Sequence, residues 1–84
     1  MKNKILIIGA GSWGTALANT LAKENKGVDI WTRDLKISHE INKKNTNKKY
    51  FKKIKLQKNL HAISGAFDIN EYSYIFYVLP AGQF

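Results

Sequence analysis

An α/β fold built on a parallel sheet is predicted for this 84-residue chain, and three observations predict it. A short apolar run, Ile5 to Ile8, meets glycines at positions 9, 11 and 14 and passes without a break into a helical pattern. Further apolar runs of strand length follow at 28–32, 60–63 and 74–79. The first of these alternates only loosely, as strands buried on both faces of a parallel sheet do. Right-handed crossovers between such pieces give a Rossmann-type parallel sheet, spatial order 3-2-1-4, with flanking helices.

The opening strand, turn and helix set the rest. Gly9, Gly11 and Gly14 have GxGxxG spacing at a strand-to-helix junction, the context that gives this pattern meaning. Gly9 permits a tight turn, Gly11 a close approach of backbone to a diphosphate, and Gly14 close packing of helix on strand. A diphosphate would rest on free N–H groups at the positive end of the helix. Gly14, Leu17, Ala18, Leu21 and Ala22 follow the i, i+3, i+4, i+7, i+8 pattern of one buried face. The helix runs out at Lys23, Glu24 and Asn25, with Gly27 as its stop.

The second strand, Val28 to Thr32, ends at the next informative place. A carboxylate about 20 residues past the glycines receives ribose hydroxyls in an NAD site, whereas an arginine there accommodates a 2′-phosphate. Here Thr32 is followed by Arg33 and Asp34. A neutral residue and then a guanidinium favour NADP over NAD. Two features keep the choice open: Asp34 stands close enough to pair with Arg33, and Arg33 could be a plain surface residue. Asp34 also suits the N-cap of a second helix, Leu35 to Lys44, with Ile37 and Ile41 as its apolar pair.

Asn45 to Lys53 reads as a connecting loop, polar except for Tyr50 and Phe51. Those aromatics are either anchors onto the core or one side of a ligand cleft, and the pattern alone slightly favours anchors. Leu60 to Ile63 is a third short strand, and Ser64 to Glu71 holds a turn or one turn of helix. Tyr74 to Leu79 is the fourth strand, closed by Pro80, which cannot continue a ladder. His39 and His61 lack a second ligand at suitable spacing and are read as structural. No catalytic triad, carboxylate pair or metal box can be assembled.

Composition narrows the function classes. The net charge is +8, and nine of the thirteen lysines fall between Lys36 and Lys58. With one arginine and no groove-reading helix or aromatic sheet face, this stretch reads as a solvated face rather than a nucleic-acid surface. No run approaches the roughly 18 apolar residues of a membrane helix. The first strand begins too near Met1 for a signal peptide, so a cytoplasmic protein is expected. Zero cysteines exclude disulfides and thiolate chemistry.

The glycine stretch G-A-G-S-W-G-T-A-L-A, Gly9 to Ala18, resembles the opening of bacterial NAD(P)-dependent glycerol-3-phosphate dehydrogenases. The likeness continues through W-T-R-D (Trp31 to Asp34), E-I-N (Glu40 to Asn42), N-K-K-Y (Asn47 to Tyr50), I-K-L (Ile54 to Leu56) and V-L-P-A (Val78 to Ala81). The resemblance implies that Ser12 and Trp13 meet the cofactor at the diphosphate turn and Arg33 meets the adenosine ribose or its phosphate. It implies further that Tyr50 is a cofactor contact and that Pro80 stands near the nicotinamide half. One departure is Phe51, Lys52 and Lys53 where the family continues with Leu-Pro-Gly, which leaves the path of that loop open. Another is length, since family members carry a helical second domain with the catalytic lysine and most contacts to the phosphorylated substrate. Residues 1–84 are thus expected to form an incomplete cofactor domain. It would be inactive as a dehydrogenase alone and leave its fourth strand as an exposed aromatic edge. Another Rossmann dehydrogenase, a non-catalytic NADP-binding module and half of a split enzyme are the competing readings.

Overall fold

The computed structural model describes residues 4–24, 27–52 and 54–78. The order is β1 (Ile5–Ile8), α1 (Ser12–Glu24), β2 (Val28–Trp31), α2 (Leu35–Lys44), β3 (Leu60–Ile63), a 3-10 turn at Ile69–Glu71, and β4 (Tyr74–Tyr77). The sheet runs β3-β2-β1-β4 with every pairing parallel, as the sequence predicts. Ile7, for example, sits opposite Ile30 on one side and Phe76 on the other.

Alternation within the strands divides the sheet into two faces. Ile5 and Ile7, Val28 and Ile30, and Leu60 and Ala62 point to the face on which both helices pack, joining Ala18 and Ala22 of α1 and Ile37 and Ile41 of α2. Both helices share that face because two successive right-handed crossovers step in the same direction across the sheet. The return from β3 to β4 uses the other face. There the Tyr72 hydroxyl donates to Asp29 Oδ2 at 2.6 Å, and Lys4 Nζ lies 3.4 Å from the same oxygen. These two partners account for a carboxylate buried in the middle of β2. Burial, and then the hydrogen bond to Asp29, push the Tyr72 phenol above its ordinary pKa.

The bounds of α2 are those predicted. Asp34 caps its start by accepting from the Lys36 and Ile37 N–H groups, and Asn45 ends it in the left-handed region (φ 56°). The buried face of α1 needs correction. It comprises Gly14, Thr15, Ala18, Asn19 and Ala22, while Leu17 and Leu21 are only partly buried against the core. Gly14, Ala18 and Ala22 form a centre line of small side chains at i, i+4, i+8, which lets the helix approach the strands and moves the leucines to its margin. Thr15 and Asn19 can be buried because each has a partner: Thr15 Oγ1 donates to the Ala10 carbonyl, and Asn19 Oδ1 accepts from Gln57 N–H.

Thr32, expected as strand, lies one residue past β2, yet its N–H still donates to the Ile63 carbonyl at 3.0 Å. β4 is the edge of the sheet, and all four of its residues are exposed, as expected. Asn25, Leu79 and Pro80 lie outside the described residues. No helix among the described residues is long and apolar enough to cross a membrane.

Candidate functional site

At the carboxyl ends of β1 and β2 the chain encloses a cleft of about 390 Å³. Its floor is the glycine turn. Gly9 adopts φ 122°, and a Cβ there would collide with the Val78 carbonyl oxygen. A Cβ on Gly14 would collide with the Gly9 carbonyl oxygen, so α1 sits against the turn with no room for a methyl. The first helical bond runs from Thr15 N–H to the Gly11 carbonyl at 2.9 Å. Gly11 therefore occupies the N-cap without a side chain to cap with, and the first turn of α1 contains no acidic residue. The N–H groups of Gly11, Ser12, Trp13 and Gly14 have no acceptor among the described residues. Four unpaired donors at the positive end of a helix whose N-cap, Gly11, lines the cleft fit a diphosphate.

The second wall is the end of β2. Trp31, Thr32, Arg33 and Asp34 all line the cleft. Two bonds brace this corner from the β3 side: Trp31 Nε1 donates to the Gly65 carbonyl at 2.7 Å, and Ser64 Oγ donates to the Thr32 carbonyl at 2.7 Å. The Asp34 carboxylate is engaged in capping α2, accepting from Lys36 N–H at 2.9 Å. Arg33 is exposed and forms no ion pair among the described residues, with Asp34 or any other carboxylate.

The third wall is the loop after α2, which contributes Tyr50. This loop is polar in sequence but is not a loose connection. Glu40 Oε2 accepts from Thr46 Oγ1 at 2.7 Å and from Lys48 N–H at 2.8 Å. These bonds, Thr46 foremost, hold the Glu40 carboxyl below its ordinary pKa. Between them Asn47 is fully buried and bonded to the glycine turn. Phe51 packs against the core while Tyr50 stands 39% exposed on the cleft, so the two aromatics divide the anchor and cleft roles between them.

The fold thus brings Gly9, Gly11, Arg33 and Tyr50 to one cavity. Gly14 supports it from behind. Ser12 and Trp13 head α1, but both side chains are exposed, Trp13 at 75%, and neither lines the cleft. The sequence reading missed Asn47, Thr15 and Tyr77. The first lies in a loop that reads as polar, although the N-K-K-Y likeness already holds it, and the second lies outside the predicted apolar stripe of α1. Tyr77 lines the cleft from β4. A larger depression of about 560 Å³ lies outside α2 among Leu35, His39 and four lysines. It is an open surface hollow away from the glycine turn. His39 and His61 are both exposed, and no group of three potential metal ligands occurs among the described residues.

A parallel sheet in the order β3-β2-β1-β4, with a glycine turn between β1 and α1 and its cleft at the strand ends, defines the class: a Rossmann-type α/β unit. Residues 4–84 match the family described as NAD-dependent glycerol-3-phosphate dehydrogenase N-terminus, and the chain belongs to that family. Among curated relatives, glycerol-3-phosphate dehydrogenase [NAD(P)+] of Orientia tsutsugamushi is 45% identical over 80 residues, covering 95% of this chain and 24% of that protein. The enzyme of the same name from Treponema denticola is 39% identical over 82 residues, covering 96% and 23%. Among solved structures, glycerol-3-phosphate dehydrogenase from Coxiella burnetii superposes with a TM-score of 0.79 at 31% identity, covering 95% of this chain and 25% of that one. The Plasmodium falciparum glycerol-3-phosphate dehydrogenase gives 0.75 at 30% identity, covering 92% and 24%. The chain therefore spans about a quarter of the length of the curated relatives it matches.

Proposed function

We propose that the cleft binds NAD(P), with NADP preferred, and that these 84 residues are the cofactor-holding part of a glycerol-3-phosphate dehydrogenase. In that role the whole enzyme interconverts sn-glycerol 3-phosphate and dihydroxyacetone phosphate by hydride transfer, in the cytoplasm, supplying precursor for glycerophospholipids. The observation that carries the reading is the contrast between two helix heads on one cleft. Asp34 closes the head of α2, whereas the head of α1 is left open behind Gly9 and Gly11. An open, glycine-lined helix head attracts a diphosphate.

The same contrast supports the NADP preference. A carboxylate spent on two backbone N–H groups is poorly placed to receive a ribose diol, and an unpaired guanidinium beside it suits a 2′-phosphate. When bound, the nicotinamide supplies the hydride. The residues here hold and orient it: the N–H groups of Gly11 to Gly14 at the diphosphate, Arg33 at the adenosine ribose, and Tyr50 along the cleft wall. We assign no catalytic residue to residues 1–84.

A fluorescence titration with NADPH and NADH tests this, with Trp31 on the cleft as a reporter. NADPH should bind more tightly. Arg33→Ala should cost about 1–3 kcal/mol for NADPH, the range for losing a charge-assisted contact, and much less for NADH. A folded chain that binds neither dinucleotide would refute the reading.

A further inference from the structure

We propose that Asn47 is a positioning residue of the glycine turn: by holding the Ala10 carbonyl inward, it keeps the Gly11 N–H aimed at the bound diphosphate. The inference rests on the dinucleotide reading of the cleft.

Its basis is the planarity of a trans peptide, whose C=O and N–H point in opposite directions. The Ala10 carbonyl and the Gly11 N–H belong to one such unit. On its inner side the carbonyl accepts from Asn47 Nδ2 at 3.1 Å and from Thr15 Oγ1 at 3.3 Å. Asn47 Nδ2 also donates to Thr15 Oγ1 at 2.9 Å, so the two side chains form one clamp. On the outer side the Gly11 N–H has no acceptor among the described residues, and Gly11 lines the cleft. Two donors behind the peptide thus fix the donor in front of it.

Asn47 is itself held independently of the turn. Its main-chain carbonyl accepts from Phe51 N–H at 2.7 Å and Tyr50 N–H at 3.3 Å, and its neighbours Thr46 and Lys48 are bonded to Glu40 on α2. The amide therefore reaches the turn from a braced loop. Its Oδ1 is buried without a hydrogen-bond partner. An unpaired acceptor opposes folding, and an apolar side chain of the same size would fill this space without one. What the apolar side chain could not do is hold the Ala10 carbonyl.

The test uses the 84-residue chain and two probes: NADPH, and adenosine 2′-monophosphate, which lacks the diphosphate. Asn47→Asp keeps the shape but puts an acceptor where the donor was. It should weaken NADPH binding about 10–100-fold, the effect expected of a misaligned hydrogen bond to a charged group, and leave the monophosphate within twofold. Thr15→Val should show a smaller loss in the same sense, and Thr15→Ser, which keeps the hydroxyl, should restore affinity. A folded Asn47→Asp chain that weakens both ligands equally, or neither, overturns the proposal. Should that variant not fold, the isotope-labelled wild-type chain decides. Inorganic pyrophosphate should shift the Gly11 amide, and shifts of the Ser12 to Gly14 amides without Gly11 overturn the proposal. A wild-type chain that binds neither probe refutes the dinucleotide reading itself, and this inference falls with it.

Discussion

Gly14→Ala opposes two effects of similar size, and the structure decides between them. In a helix, alanine is favoured over glycine by about 1 kcal/mol, so propensity alone predicts stabilisation. Here the added methyl would collide with the Gly9 carbonyl oxygen, lie 2.9 Å from the Gly9 carbonyl carbon and touch Ile7 Cγ2 at 3.7 Å. The first two atoms are backbone and cannot rotate aside, so α1 must move off the turn. Overpacking costs about 1–3 kcal/mol even where side chains can adjust. With backbone as the obstacle the upper end applies, and the net loss is about 2 kcal/mol. For a chain of this size that corresponds to a Tm lower by about 8–16 °C. Gly65→Ala is the control: φ is 77° but nothing lies within 4 Å, so only the left-handed strain of about 1–2 kcal/mol is incurred. Urea unfolding followed by circular dichroism measures both. A Gly14→Ala chain as stable as wild type, with an unchanged m-value, would refute the claim that helix and turn are in backbone contact.

Three further outcomes are expected. Asp34→Ala removes the cap of α2 and should cost about 1 kcal/mol in urea unfolding while leaving the ratio of NADPH to NADH affinity unchanged, because the carboxylate serves the helix. Tyr72→Phe leaves the buried Asp29 with Lys4 alone and should cost about 1–3 kcal/mol at neutral pH. Since the folded-state pKa of Tyr72 is raised, its contribution is fully present below about pH 10 and is lost as pH rises beyond it. The stability gap between wild type and Tyr72→Phe should therefore be constant to about pH 10 and close above it, as measured by unfolding across the alkaline range. Phe76→Lys, on the exposed edge strand, should lower light scattering on concentration with little change in Tm, since a charge on an edge discourages pairing with another chain.

What could be read from the sequence is what depends on near neighbours. Three glycines between an apolar run and a helical period exclude a Cβ at fixed offsets, and the collisions at Gly9 and Gly14 are the structural form of that rule. The limits of α2 were legible because Asp34 and two isoleucines act within a few residues of one another. Strand order followed from the handedness of crossovers, which needs only the sequence of elements. Buried polar residues were not legible, because what makes them tolerable is a partner far along the chain. Thr15 and Asn19 lie outside the predicted stripe and Asn47 in a polar loop, yet Asn47 meets the turn 37 residues before it and Asn19 meets Gln57 38 residues after it. The same cause shifted the predicted stripe of α1. Hydrophobicity favoured Leu17 and Leu21, whereas close packing on strands required small residues at the centre and admitted Thr15 and Asn19 once they were paired. At the end of β2 the sequence left Asp34 with two possible roles, partner of Arg33 and cap of α2. One carboxylate oxygen receiving two backbone N–H groups, with no ion pair to Arg33 among the described residues, assigns it to the cap.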